Sequence, residues 1–260
     1  MIIFYNFVQP KSKTLSRKFI TSLALIIFLN LLVKPLFAFF IDPQVQTIVG
    51  PQNYGFYFSL LSFTWILNII LDLGITNFNN RDISRHHQLL DKYFSNILGI
   101  KIILGLFYLI IGVGLAIVWG HDMEKIRMLL LLLFNMFLIS FILYLRSNIS
   151  GLQLFKTDSL VSVLDRTILI ILCVGLIWGK WIKDFTIYHY VYAQTISYIL
   201  TFIVALLIVY SKVGSIKIKF SISYATALIK QSLPYALLIF LMGSYKFLDG
   251  VLIEKLAGDF

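Results

Sequence analysis

Hydrophobic residues along this chain come in long unbroken runs, separated by short polar gaps that hold most of the charge. Seven runs approach the roughly 20 apolar residues that a helix needs to cross a bilayer. They lie near 19–40, 56–75, 94–119, 128–149, 159–179, 188–210 and 231–252. The runs are continuous rather than alternating, so they predict helices and not barrel strands. The expected fold class is therefore all-α, a polytopic membrane helix bundle of about seven spans.

One stretch shows the pattern in miniature. "NIILDLGITNFNNRDISRHH" (68–87) starts apolar, carries Asp72 before Leu73 and Gly74, and ends as a basic loop. The change of character marks the membrane surface, where the second span leaves the hydrocarbon.

Composition agrees. The 260 residues are 59% hydrophobic and 13% charged, with a mean hydropathy of +0.89, well beyond the balance of a soluble domain. A net charge of +10 would suggest nucleic-acid binding in a soluble protein, but here the basic residues sit in gaps between spans, where they meet anionic lipid head groups. No nucleic-acid partner is expected. Thirteen lysines and arginines fall on the side of the N-terminus and of the even-numbered gaps, against four on the other side. That asymmetry predicts a cytoplasmic N-terminus. Trp119, Trp178 and Trp181 fall at predicted outer helix ends, where indole rings favour the interface. The first run lacks a small-x-small cleavage site, so it reads as a span and not as a signal peptide.

These features divide the chain into a basic N-terminus (1–18), a six-helix lobe (19–210), an amphipathic cytoplasmic linker (211–230) and a seventh helix (231–260). A weak internal echo links the first and last spans. Lys34 is followed by Asp42 and Gly50, and Lys246 by Asp249 and Gly258. Six helices and a seventh resembling the first fit a two-lobed transporter of which only the opening of the second lobe is present.

Charges within spans are the candidate functional residues, because each costs about 2.5–3.5 kcal/mol to insert at mid-bilayer. Lys34 precedes Pro35, whose ring and missing N–H predict a kink and freed carbonyls. A cation there either binds an anionic substrate or snorkels outward. Asp72 either marks a wet helix end or faces inward, binding a cation or pairing with Lys34 or Arg166. Lys101 and Arg146 are close enough to the cytoplasmic face to snorkel. Asp165 and Arg166 are adjacent and deep, so at least one points into the bundle. Lys246 and Asp249 are three apart on one face, either paired together or turned to a lumen.

Other motifs carry little. His86 and His87 lack companion ligands for zinc, and the single Cys173 reads as a buried thiol. No glycine-rich phosphate loop or nucleophile–histidine–acid set occurs, and neither enzymatic activity nor a cofactor is expected. "GLIWG" (175–179) fits a helix-packing pattern, and "NIS" (148–150) lies on the wrong side for glycosylation.

The segment "VKPLFAFFIDPQVQTIVGPQNYGFYFSLLSFTWILNIILDLGITNFNNRDIS" (33–84) resembles the start of bacterial polysaccharide and O-antigen flippases. These are lipid-linked oligosaccharide exporters of the multidrug/oligosaccharidyl-lipid/polysaccharide exporter superfamily. The matching pieces are "VGPQNYGFY" (49–57), "LDLGIT" (71–76) and "RDIS" (81–84), and "SLPYALLIFLMGSYKFLDGVLIEKLAG" (232–258) looks like the opening of a second lobe. The resemblance implies alternating access between two lobes in the bacterial inner membrane. It implies a substrate of sugars on a polyprenyl diphosphate, and polysaccharide polymerase and chain-length-control proteins as partners. On that reading Lys34, Arg166 and Lys246 would meet the diphosphate, and Asp72, Asp165 and Asp249 would serve a coupling cation. The alternatives are a membrane glycosyl- or acyltransferase of the same pathway, or a drug or ion exporter of the same superfamily. The acidic residues of the outer gaps, Asp42, Asp122, Glu124 and Asp184, are too scattered to favour a transferase. A seven-helix receptor is opposed by the cytoplasmic N-terminus.

Overall fold

The computed structural model describes residues 13–118, 122–179, 182–213 and 220–256. Within them the chain runs α1 (Lys13–Leu36), a π-helical turn (Phe37–Ile41), α2 (Asp42–Val49), α3 (Pro51–Asp72), α4 (Ile75–Arg85) and a short 3₁₀ turn (His87–Leu89). It continues with α5 (Leu90–Val118), α6 (Met123–Gly151), α7 (Phe155–Ile177), α8 (Ile187–Val213) and α9 (Ile222–Leu256). No strand occurs among the described residues.

Six stretches are long and apolar enough to cross a membrane: Ile27–Val49, Pro51–Asp72, Tyr93–Val118, Lys125–Gly151, Phe155–Ile177 and Ile187–Val213. The protein is thus a multi-pass helical membrane protein. The seventh expected span falls inside α9, a continuous 35-residue helix. Of the expected linker at 211–230, Ser211–Val213 close α8 and Ile222–Lys230 open α9.

The first span differs from its expected form, in which it ends near residue 40 and an outer loop follows. Instead, helix continues to Val49, and α3 starts at Pro51 after the single residue Gly50. Pro35 supplies the reason for the irregularity: it has no N–H to donate back along the helix. Five residues of π-helix follow, closed by the Asp42 N–H donating to the Phe37 carbonyl, five residues back. The wider turn absorbs the broken register and lets the helix run on. Gly50, at φ +82°, then makes the sharp reversal into α3.

Near the opposite end of α3, two successive left-handed residues, Leu73 (φ 45°) and Gly74 (φ 76°), break the helix and restart it as α4. Packing requires glycine at the second of them. A side-chain carbon on Gly74 would lie 2.6 Å from the Ala236 amide nitrogen, and closer still to the Ser232 carbonyl oxygen, both in α9. α9 lies against α3, α4 and α5 at this break. Arg81 of α4 fastens the contact, its Nη1 donating to the Tyr235 hydroxyl at 2.9 Å.

α6 is the hub of the lobe, packing on α3, α4, α5, α7 and α8. It contributes the centres of both large apolar clusters, with Leu129, Leu132 and Leu133 in one, and Tyr144, Leu145 and Ile149 in the other. α1 takes no such position. It packs along α7 and leaves Leu31 (71%) and Phe39 (75%) open on its other face.

Candidate functional site

Three of the polar assemblies among the described residues bear on function, and each is best followed outward from its charge. The first stands at the end of α3. Asp72 Oδ1 accepts from Lys101 Nζ at 2.8 Å and from the Thr76 hydroxyl, while Oδ2 accepts from the Thr76 N–H at 3.3 Å. Lys101 also donates to the Leu71 carbonyl at 3.2 Å, and its ammonium lies 5.8 Å from the centre of the Tyr144 ring. The Ser140 hydroxyl donates to the same Leu71 carbonyl at 3.4 Å. Breaking α3 frees carbonyls that need donors, and α5 and α6 deliver them.

This corrects the expectation for Lys101. It does not snorkel to the surface; it has no exposed surface at all. It likewise settles what Asp72 touches, since its cationic partner is Lys101 and not Lys34 or Arg166. Arg146, the other expected snorkeller, forms a two-point bridge to Asp158 across the α6–α7 turn, at 2.8 and 3.3 Å.

The second assembly surrounds Asp42, at the other end of the bundle. The hydroxyls of Tyr54 (3.0 Å) and Tyr190 (3.2 Å) and the Gln46 side-chain amide (3.3 Å) all donate to its carboxylate. Next to it, Gln194 donates to the Tyr57 hydroxyl at 2.8 Å, and the Tyr57 ring contacts Tyr54 and Tyr190 at centroid distances of 5.6 Å each. Sequence reasoning placed Asp42 in the first outer loop and missed this cluster. The one signal in the sequence is the density of tyrosines at 54, 57 and 190, but their meeting depends on how α3 and α8 pack.

The third assembly holds the expected cations. Asn30 Nδ2 donates to the Ser162 hydroxyl at 3.3 Å, joining α1 to α7. Further along both helices, the Arg166 guanidinium stands over the Phe37 ring, 4.8 Å from its centre. Contact positions rise together, 30 with 162 and 37 with 166, so the two helices run parallel. Lys34 is one turn beyond Asn30, and Arg166 one turn beyond Ser162. The two cations therefore share a depth in the bundle on neighbouring helices.

Their surroundings differ. Lys34 is exposed, beside an open depression of about 500 Å3 formed by Ile27, Leu31, Pro35, Ala38 and Phe39 on its own helix. Arg166 is partly covered, with its Nε 3.7 Å from Asp165 Oδ2 in a loose pair and with Tyr57, Tyr190 and Tyr198 in electrostatic range. The Asp165 carbonyl accepts from the Ser197 hydroxyl, which locks α7 to α8 at this level. Lys246 and Asp249 lie on the helical backbone of α9, and their side chains are outside the described residues. Among the described residues no group of three histidine, cysteine or acidic side chains could hold a metal ion.

A family model described as "Polysaccharide biosynthesis protein" matches residues 20–259. The chain belongs to the polysaccharide biosynthesis protein family. No curated protein sequence matches it. Among solved structures, this family member is similar to an outward-facing multidrug-resistance MATE family transporter of the MOP superfamily, with a TM-score of 0.56 and 18% identity over 85% of this chain and 52% of that one. A point mutant of a MATE protein has a TM-score of 0.55, again at 18% identity, over 85% of this chain and 53% of the other. A MOP superfamily transporter from Pyrococcus furiosus, described by the reverse polarity of its binding pocket, has a TM-score of 0.53 at 18% identity, over 85% and 52%. The polysaccharide biosynthesis chain thus has the fold of one part of these transporters, and it spans about half of their length.

Proposed function

We propose that this chain forms the first lobe of a transporter that flips a polyprenyl-diphosphate-linked oligosaccharide between leaflets of the bacterial inner membrane by alternating access. The observation that carries the reading is that Lys34 and Arg166 share a depth on the parallel helices α1 and α7. Two cations held within a membrane-spanning bundle are costly unless an anion or a wet cleft compensates them. A lipid diphosphate presents concentrated negative charge, and Lys34 is open to receive it. The apolar face that α1 leaves uncovered supports a cleft wall completed by a second lobe, as the half-length match to the transporters also suggests. Lys246, on the first helix beyond the lobe, would add a third cation from the facing side.

Asp165 serves in this reading by holding Arg166 in place, and Asp249 stands three residues from Lys246 to do the same there. Asp72 is assigned a structural role instead of cation coupling, because its oxygens are already engaged by Lys101 and Thr76. The N-terminus lies in the cytoplasm, with the basic ends of the helices.

Export of surface polysaccharide by the complete protein tests the proposal. Lys34→Ala and Arg166→Ala should each lower export about tenfold or more while leaving membrane insertion intact, corresponding to at least about 1.4 kcal/mol of lost substrate stabilisation. Normal export from the double variant would sink the reading. A change in drug susceptibility with export untouched would point instead to drug efflux.

A further inference from the structure

At the end of the bundle away from the basic loops, α6 and α8 part to leave a groove of about 770 Å3. Its α6 wall consists of Met123, Arg127, Leu130, Leu131 and Phe134, which recur at the spacing of one helical face. Tyr188 and Tyr192 of α8 form the other wall. None of these residues belongs to α1 or α7, so the groove is separate from Lys34 and Arg166.

Its shape and charge specify an occupant. From Met123 to Phe134 the helix rises roughly 16 Å, about half of the roughly 30 Å hydrocarbon core, which is the length of one leaflet's acyl chain. Arg127 is the single charged residue in the lining, it is exposed, and among the described residues it has no acidic partner. It stands near the start of α6, one turn past Met123, while Leu130, Leu131 and Phe134 farther along the same wall are apolar. Tyrosine rings opposite a cation at a helix end belong to the headgroup level of a bilayer. Leu130 and Phe134 stay exposed along the wall, although the rest of α6 is the most buried of the spans.

We propose that this groove binds one anionic glycerophospholipid, with its phosphate on Arg127 and an acyl chain along Leu130, Leu131 and Phe134. One anionic lipid offers both an acyl chain for the apolar wall and a phosphate for Arg127. The transported lipid is a poorer fit, since the groove shares no residue with the α1–α7 face assigned to it.

Native mass spectrometry of the purified full chain tests the site, with phosphatidylglycerol and phosphatidylethanolamine of identical acyl chains added in turn. The wild type should retain one phosphatidylglycerol in preference to phosphatidylethanolamine. Arg127→Gln should weaken that retention about fivefold, the effect of one basic residue at an anionic surface. Arg127→Lys should keep most of it. Leu130→Trp, which fills the groove without touching the charge, should lose it too, and both positions face outward so that the helix itself is undisturbed. Equal retention of the two lipids overturns the proposal, as does unchanged retention in both Arg127→Gln and Leu130→Trp. So does a dimer that Leu130→Trp disperses, or binding of polyprenyl phosphate where phosphatidylglycerol does not bind.

Discussion

Lys101, fully enclosed within the bundle, meets Asp72 at 2.8 Å and so ties α5 to the broken end of α3. The aspartate retains 18% of its side-chain surface and has Thr76 as a second partner, whereas the lysine has no exposed surface. The two ends of this pair are therefore unequal, and removing them should have unequal effects.

Asp72→Asn should destabilise the protein by about 3–5 kcal/mol, because it strands a buried cation. Lys101→Met should cost less, since the surviving carboxylate keeps its Thr76 donors and its partial access to polar surroundings. The Asp72→Asn/Lys101→Met double variant should recover part of the loss. Thermal unfolding in detergent, followed by fluorescence-detected size exclusion, reads all three. Equal losses for the two single variants would contradict the asymmetry.

Gly74 should tolerate no side chain. Alanine there incurs roughly 1–2 kcal/mol for the left-handed backbone alone, and in addition it meets the α9 backbone at Ser232 and Ala236. Gly74→Ala should loosen α9 from α3, and Tyr235→Phe should then cost less stability than it does beside the native glycine, because the Arg81–Tyr235 bond is already weakened. An undiminished cost would show that the close approach is not required.

Asp42 gathers three donors from α2, α3 and α8. Asp42→Ala should lower stability by about 1–3 kcal/mol, with buried hydroxyls left unpaired. Tyr190→Phe should cost about 0.5–1.5 kcal/mol, and a double-mutant cycle between the two should show non-additivity. Strict additivity would mean that the tyrosine does not lean on the carboxylate.

Pro35→Ala returns an N–H to the first helix, which can then close a regular turn with the Leu31 carbonyl. The π-helical turn should shorten and rotate Asp42 relative to Tyr190. Stability should change little, with the regular turn offset by the weakened Asp42–Tyr190 bond, while export by the complete protein falls. Export at the native level would separate the kink from function.

The pattern of apolar runs alone placed five of the spans close to where the structure has them, and the first one about eight residues early, because lipid imposes a minimum length of unbroken hydrophobic helix. It also marked the proline at 35 and the break at Gly74, since both act through the chain's own backbone.

Direction around the helix was not legible. α5 and α6 are apolar on nearly every side, so no stripe in the sequence says which face meets a neighbour. Lys101 and Asp72 are 29 residues apart, and Tyr190 is 148 from Asp42; whether either pair meets is decided only when helices from distant parts of the chain pack in one register. Length is thus a property of single segments, set by the solvent each must cross. Partnership is a property of the assembled bundle, and only the tertiary structure could choose it.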